Sequence, residues 1–263
     1  PRTLALAMTG YTLAVLLGAA TWGRRWLCQG DAFAVLFSLL AHAAPFFVDD
    51  DGRLRARPPL RGLAGLRPAP GLAAVVCVAL GSTSYDGLSR TTFWRDLTAD
   101  QGRTGDVIIG ALGLMWMIGV VAVLYVGAMR FAGNLTGRDG DQLIEWFLPS
   151  LVPIAFAYAV AHYFALLVFE GQTAVVLASD PLGEGSNLFG TADWTVNLTF
   201  LTGNQIAYTQ AGAIVAGHVA AVVLAHDRTV ARVDAASVAR TQYPLMGAMV
   251  IYTVGGLALL FGR

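Results

Sequence analysis

Residues 107–129 read VIIGALGLMWMIGVVAVLYVGAM, a run without a single charged side chain. A helix that crosses the hydrocarbon core of a bilayer, roughly 30 Å thick, needs about 20 mostly apolar residues. Backbone hydrogen bonds cannot be left open in lipid, so a long apolar run predicts a membrane-spanning α-helix rather than a barrel strand. Runs of the same kind occur at 3–22, 146–169, 205–226 and 243–262.

Two further apolar runs are harder to assign. The run from Gly71 to Leu88 is shorter and ends in the polar sequence GSTSYDG at 81–87, which predicts a span whose last turn or two is polar or broken. The run 32–48 has the length of a short span or of an interfacial helix. We therefore expect an all-α fold, a polytopic transmembrane helical bundle of about six spans plus one interfacial or short helix.

The composition agrees with a lipid environment. Of the 263 residues, 56% are apolar and 13% are charged, against roughly 45–50% and 25% in soluble domains. The net charge is zero, and the 17 basic residues, all arginine, are spread over several loops. This is unlike the clustered basic face of a nucleic-acid-binding protein. We therefore expect the lipid bilayer and other membrane subunits as partners, and no nucleic acid.

The chain begins at Pro1, and its first apolar run follows almost at once. We expect it to start inside a longer protein and to form one transmembrane helical domain over residues 1–263. Cys28 and Cys77 are far apart in the sequence, which argues against a disulfide framework, a zinc finger or an iron–sulfur motif.

The arginines predict an orientation, because basic loops tend to stay in the cytoplasm. Loops 49–70, 130–145 and 227–242 carry arginine, whereas loop 170–204 carries acidic but no basic residues. Placing the first three in the cytoplasm and the last outside makes the helices between them alternate correctly, and it favours an interfacial position for 32–48. A connection as long as 170–204 is usually functional or disordered, and its apolar stretches indicate an extracytoplasmic cap.

Ionisable groups inside membrane spans are costly, which makes them functional candidates. His162 and His218 each follow a residue of a small-residue stripe, and such stripes let two helices approach closely. The stripes are Ala157, Ala161 and Ala165 on one helix and Ala213, Gly217, Ala221 and Ala225 on the next. Each histidine should flank this tight helix pair, about 100° round from its stripe, with an axial gap of about 8 Å between the two.

Three interpretations of these histidines remain open. Each can hydrogen-bond a carbonyl or hydroxyl group on a neighbouring helix, which is a structural role. They can form a polar site for substrate or protons together with Asp86. They can also bind a metal or a haem, although zinc takes three or four protein ligands and the sequence contains no HxxxH, HExxH or CxxC motif.

The segment GSTSYDGLSR at 81–90 is the most unusual polar stretch, and we expect it on the same side as His162. Hydroxyl groups, a tyrosine and a carboxylate that converge with a histidine can bind an anion or activate a nucleophile. Ser84 and Asp86 are therefore candidate catalytic residues beside His162 and His218. The structural alternative is that a helix ends at the Asp-Gly pair and the hydroxyls satisfy its carbonyl groups.

Taken together, several of these stretches resemble a family of bacterial integral membrane proteins labelled fenitrothion hydrolase, an organophosphate-ester hydrolase activity. The resemblance runs from about residue 23 to the C-terminus. It is carried by the segment 81–90, AHYF at 161–164, DPLG at 180–183 with FGTAD at 189–193, GH at 217–218 and AHDR at 225–228. It implies a multi-pass protein of the bacterial inner membrane, ester hydrolysis by its label, and further sequence upstream.

Three functions follow as hypotheses. The leading one is a non-enzymatic membrane protein with a buried, outward-opening polar site for transport, sensing or assembly. The first alternative is a membrane-embedded hydrolase with Ser84, Asp86, His162 and His218 around one cavity. The second is a membrane subunit in which His162 and His218 hold a metal or a haem. Both site hypotheses require Asp86 and the two histidines to face the same groove.

Overall fold

The computed structural model describes residues 2–67, 69–99 and 102–261, which are helical apart from loops and one short hairpin. The helices are α1 (Arg2–Trp22), α2 (Arg24–Gln29), α3 (Ala32–Ala43), α4 (Arg61–Ala64), α5 (Leu72–Leu88), α6 (Thr92–Thr98), α7 (Gly102–Thr136), α8 (Gly140–Ser179), α9 (Gly203–Val230) and α10 (Ala235–Phe261). The strands are β1 (Phe46–Val48) and β2 (Leu54–Ala56).

The apolar helices confirm the expected all-α bundle. Five of the described helices, α1, α7, α8, α9 and α10, are long and apolar enough to cross a membrane. A sixth candidate span is the pair α5 and α6, which is bent by 82° at the break between them. The shorter apolar helix α3 is too short to cross a bilayer in the same way.

Helix α1 stands apart from the other long helices. It packs on α2, where the ring of Trp26 lies directly over Gly18. The hydroxyl of Tyr11 donates to the carboxylate of Asp31, just before α3. Most of its large apolar side chains are exposed, a surface that suits lipid rather than water.

The polar end of α5 is helical and unbroken as far as Leu88. The hydroxyls of Thr83 and Ser84 donate to the carbonyl oxygens of Ala79 and Leu80, one turn earlier. A hydroxyl bonded in this way needs no other partner inside a membrane span. The polar last turns of α5 are therefore compatible with a continuous helix. The chain bends only after Leu88, between α5 and α6.

Helices α7 to α10 extend well beyond their apolar runs. Asp139 caps the start of α8 by accepting from the backbone N–H of Asp141, so the helix begins at Gly140 rather than at 146. The expected loops at 130–145, 170–204 and 227–242 shorten accordingly, the second of them to 180–202. The length of an apolar run is set by the thickness of the hydrocarbon core. The length of a helix is set by where its terminal backbone groups are satisfied by a capping residue, which can lie outside the hydrocarbon core.

The expectation of one continuous interfacial helix at 32–48 was wrong in its last residues. Helix α3 ends at Ala43, and Ala44 is extended (φ −67°, ψ 142°), because a proline disfavours helical backbone in the residue before it. Residues 46–48 pair antiparallel with 54–56 instead. The guanidinium of Arg57 closes the end of α3 by donating to the carbonyl oxygens of Ala41, His42 and Ala44.

The connections at 49–70, 130–145 and 227–242 meet at one end of the bundle, which we call the arginine end. Buried Arg228, only 3% exposed, joins them, since its guanidinium donates to the carbonyl oxygens of Leu63, Ala64, Leu66 and Trp146. Arg138, after α7, lies 3.6 Å from the carboxylate of Asp234, before α10. The opposite end, which carries the 180–202 loop, is called the pocket end.

Helices α8 and α9 pack against each other most extensively, as their small-residue stripes predict. Gly217 lies so close to α8 that a Cβ atom there would be 2.2 Å from the Cβ of Ala157. Ala157, Ala161, Gly217 and Ala221 are all buried. The predicted close helix pair is confirmed, and it sets how the two histidine-bearing helices are rotated towards each other.

Candidate functional site

Asp86 of α5 and His162 of α8 meet at the pocket end. The Nε2 atom of His162 lies 3.3 Å from Oδ2 of Asp86, with the two side chains 18% and 49% exposed. A carboxylate attracts an imidazolium far more strongly than it attracts a neutral imidazole. Histidine changes charge near physiological pH, so the strength of this contact depends on proton binding.

Two spaces adjoin the contact between Asp86 and His162. An inner cavity of about 40 Å³ is lined by Thr83, Ser84, Asp86, Tyr158, Ile214 and Gly256, with Arg90, His162 and Gln210 at its border. A wider vestibule of about 390 Å³ shares those three border residues and adds Tyr163, Phe169, Glu170 and Ile206. One water needs about 10–15 Å³ of such volume, so the inner cavity has room for about three waters.

Ser84 joins the inner cavity to α10. Its Oγ lies 2.8 Å from the hydroxyl of Tyr252 and donates to the carbonyl oxygen of Leu80 at 2.8 Å. The Tyr252 hydroxyl also donates to that carbonyl, at 3.1 Å. Both hydroxyl groups therefore share one backbone acceptor below the cavity, and the Ser84 proton is already engaged.

His218 lies behind the cavity rather than in it. Its Nδ1 is 2.8 Å from the carbonyl oxygen of Ile214, which only accepts, so Nδ1 carries the proton and Nε2 carries the lone pair. The ring packs against Tyr158 and Tyr252, with centroids 6.2 and 6.3 Å away. Nε2 is buried and has no hydrogen-bond partner among the described residues.

The structure brings together three of the four candidate residues. Ser84, Asp86 and His162 line the same cavity, whereas His218 sits one helical turn beyond Ile214. His218 does hydrogen-bond a carbonyl group, as the structural interpretation expects. The carbonyl belongs to Ile214 of its own helix, however, and not to a neighbouring helix.

Sequence reasoning missed three polar residues of the site: Tyr158, Gln210 and Tyr252. A buried tyrosine hydroxyl usually finds a partner, and an amide in an apolar helix bonds across to a neighbour. Gln210 does this by donating to the carbonyl oxygen of Ala161 at 2.8 Å. A search of the spans for tyrosine and amide side chains, beside ionisable ones, would have found all three.

The metal interpretation requires more metal-ligating side chains than the described site provides. Zinc takes three or four protein ligands, and no group of three or more histidine, cysteine or acidic side chains in the described part of the chain could hold a metal ion. A haem held by His162 and His218 would need both rings on its two faces, but the ring of His218 is packed against two tyrosines. The described residues thus fit neither group, and a metal or haem there stays a prediction from sequence.

The 180–202 loop is tied to the end of α8. The Thr191 hydroxyl donates to Oγ of Ser179 at 2.9 Å, and the backbone N–H of Asn197 donates to Oε1 of Gln172 at 2.9 Å. The described residues that line the cavity and the vestibule come from the helices and from the turn after α5, not from this loop. The role of the loop as a cap therefore stays a prediction.

The start of this loop is shaped around a carboxylate. The backbone N–H groups of Gly185 and Glu184 donate to Asp180 at 2.8 and 2.9 Å, and they hold the pKa of that carboxyl below its ordinary value. A depressed pKa means that the contacts stabilise the loop above the ordinary carboxyl pKa, about 4, and are lost as the pH falls further. Asp180 thus adds a negative charge to the pocket end at neutral pH.

Comparison with known proteins adds no relative to this picture. No family model, no curated protein and no solved structure matches the chain. The likeness to the family labelled fenitrothion hydrolase therefore stays a prediction, and function has to be argued from the geometry of the site.

Proposed function

We propose that this protein moves a small polar solute across the bacterial inner membrane together with a proton, and that Asp86 and His162 form the entrance to its binding site. The arginine end faces the cytoplasm in this proposal, because basic connections stay inside. The pocket end then opens outward, and the expected external position of loop 170–204 belongs to the same arrangement.

The Asp86–His162 ion pair carries the proposal. Its two members lie on different helices with Nε2 and Oδ2 3.3 Å apart. Both line the inner cavity, and His162 also lines the vestibule. Protonation of the carboxylate or loss of the imidazole proton removes the ionic attraction between the helices. A solute that contacts either group would therefore bind more or less tightly as the pair gains or loses a proton, which is the coupling that proton-linked transport requires.

The charges around the inner cavity and the vestibule, taken together, indicate the class of solute. Asp86 and Glu170 are acidic, Arg90 is basic, and His162 is basic when protonated. Because the two signs are balanced, the site favours a neutral polar or zwitterionic solute over a strongly charged one. Gln210 donates its amide N–H to a backbone carbonyl, so its Oε1 can accept a hydrogen bond from the solute.

The same geometry is less favourable for ester hydrolysis. Pockets that bind drug-sized molecules are about 300–1,000 Å³, and the inner cavity beside Ser84 is about 40 Å³. The vestibule is large enough, at about 390 Å³, but Ser84 does not line it. The hydroxyl proton that a nucleophilic serine must give to a base is donated to the carbonyl oxygen of Leu80.

Cysteine labelling tests the outward opening. In a background without the native thiols (Cys28→Ser with Cys77→Ala), Glu170→Cys should react with a membrane-impermeant thiol reagent in intact cells, because its side chain lines the vestibule. Asp50→Cys, on the exposed hairpin of the arginine end, should react only after permeabilisation. Val123→Cys, 71% exposed within the α7 span, should stay unlabelled in lipid. The reverse pattern for the first two variants would contradict the orientation.

Solute-driven proton movement tests the transport role. We expect liposomes that contain the protein and an internal pH dye to acidify when one class of small solute is added outside: amino acids, small organic acids, amines or sugars. Asp86→Asn keeps the size of the side chain but removes the charge. Hydrogen bonds to charged groups contribute about 1.5–3 kcal/mol, so the rate should fall roughly tenfold or more.

Asp96→Asn is the matched control for this assay. Asp96 is an exposed carboxylate on α6, away from the residues that line the cavity, and its replacement should leave the rate unchanged. Proton movement that survives Asp86→Asn would remove the ion pair from the mechanism. Wild-type protein that moves no proton with any of the four solute classes would contradict transport.

A further inference from the structure

A second large groove lies at the other end of the molecule. It is formed by α2 and α3 on one side and by Leu66 and residues 69–75, where the connector enters α5, on the other, and its volume is about 570 Å³. It shares no residue with the inner cavity or the vestibule. Residues of the 49–70 connection line it, which places it at the arginine end.

The lining of this groove is amphipathic and basic. One part is polar and consists of Arg25, Gln29, Ser38 and His42; the other is aliphatic and includes Val35, Leu39, Leu72 and Val75. None of the described residues that line it is acidic. The Nε–H of Arg25 donates to Oε1 of Gln29 at 3.3 Å, which orients the guanidinium along the rim, and in the described residues its terminal amino groups make no hydrogen bond.

Neighbouring residues indicate that the groove lies at the level of the lipid headgroups. Trp22 and Trp26 stack at the junction of α1 and α2, 5.2 Å apart, and tryptophan is enriched at the membrane–water boundary. Phe46, Val48 and Leu54 form one face of the β1–β2 hairpin and are each more than half exposed. An apolar face of this kind beside arginines is suited to the boundary between headgroups and acyl chains.

We propose that this groove binds an anionic phospholipid, with its phosphodiester at Arg25 and Ser38 and an acyl chain along Val35, Leu39 and Val75. The aliphatic wall of the groove matches an acyl chain. Basic pockets between membrane helices on the cytoplasmic side attract anionic headgroups. The site shares no residue with the transport cavity, and it rests on the proposed function only for the cytoplasmic position of the arginine end.

The native thiols provide the test. Cys28 is exposed and lines the groove, whereas Cys77 is buried. We expect uncharged N-ethylmaleimide to alkylate Cys28 about fivefold more slowly in nanodiscs of equal phosphatidylglycerol and phosphatidylcholine than in phosphatidylcholine alone. One arginine near an anionic surface contributes about 1 kcal/mol, which corresponds to that ratio. Soluble glycerol 3-phosphate, added to the phosphatidylcholine discs, should give no protection.

Two variants make the test specific. Arg25→Gln should abolish the difference between the two lipid compositions, while Arg24→Gln, an exposed neighbour that does not line the groove, should keep it. Equal labelling rates in the two wild-type nanodiscs would overturn the proposal without recourse to any variant. If Arg25→Gln and Arg24→Gln both lost the difference in labelling rate, a general attraction of anionic lipid to a basic surface would explain the result, and the specific site would be rejected. If glycerol 3-phosphate protected Cys28, the ligand of the groove would be a soluble phosphate and not a lipid.

Discussion

Gly217→Leu is expected to prevent α8 and α9 from packing at their present separation. A Cβ atom at 217 would lie 2.2 Å from the Cβ of Ala157 and 2.9 Å from the carbonyl oxygen of Pro153. Neither neighbour is the end of a flexible side chain, so the two helices themselves must move apart. Overpacking of a core costs about 1–3 kcal/mol, and a backbone contact places this variant at the upper end. The unfolding midpoint in detergent, by heat or by added dodecyl sulfate, measures the loss.

Gly212→Leu controls for the helix itself. Gly212 lies on the same helix, and a Cβ atom there would meet nothing within 4 Å. Leucine has a higher helix propensity than glycine by roughly 0.5–1 kcal/mol, so this variant should be as stable as the parent or slightly more stable. If both variants behaved alike, close packing of α8 on α9 would not be what holds the pair together.

Arg228→Gln is expected to release the connector before α5 from the bundle. Arg228 is 3% exposed, and its guanidinium donates to four backbone carbonyls, those of Leu63, Ala64, Leu66 and Trp146. Glutamine is shorter and cannot reach both the connector and α8, so buried carbonyl groups lose their donors. Leaving a buried polar group unsatisfied costs about 1–3 kcal/mol, and a total of about 3 kcal/mol or more follows for several groups.

Two measurements separate this effect from a general loss of charge. The unfolding midpoint should fall, and trypsin should cleave faster after Arg61, whose side chain is exposed on the connector. Arg240→Gln removes an exposed arginine of α10 and should change neither. Unchanged cleavage in Arg228→Gln would show that the connector is held in place by other contacts.

The spans were predictable because length and hydropathy are local properties. The runs at 107–129 and 205–226 lie inside α7 and α9, but both helices extend beyond them. Some helix ends were readable too: Thr202 and Gln205 form a capping box at the start of α9, and such a pair is a sequence signature of a helix start. Hydropathy alone misses these ends, because a capped helix can continue into water.

The sequence predicted individual residues of the candidate site but not the contacts between them. The cost of burying charge in lipid singles out Asp86 and His162 whatever the packing. Their pairing was not readable, nor was the hydrogen bond between Ser84 and Tyr252, which joins residues 168 positions apart. His218 was expected to flank the same helix pair, about 8 Å from His162 along the axis. It lies one turn beyond Ile214 and is not among the described residues that line the cavity.

The sequence by itself determined that the chain is a helical bundle suited to lipid, and at which level of each helix its polar groups lie. These properties follow from the length of apolar runs and from the constant rise of the α-helix. The tertiary structure alone decided which polar groups meet. That depends on how each helix is rotated about its axis, and a helix that is apolar all round carries no amphipathic stripe to show its rotation. Close contacts such as Gly217 against Ala157 fix how α8 and α9 are rotated towards each other. The packing of α5 against α8 then brings Asp86 to His162.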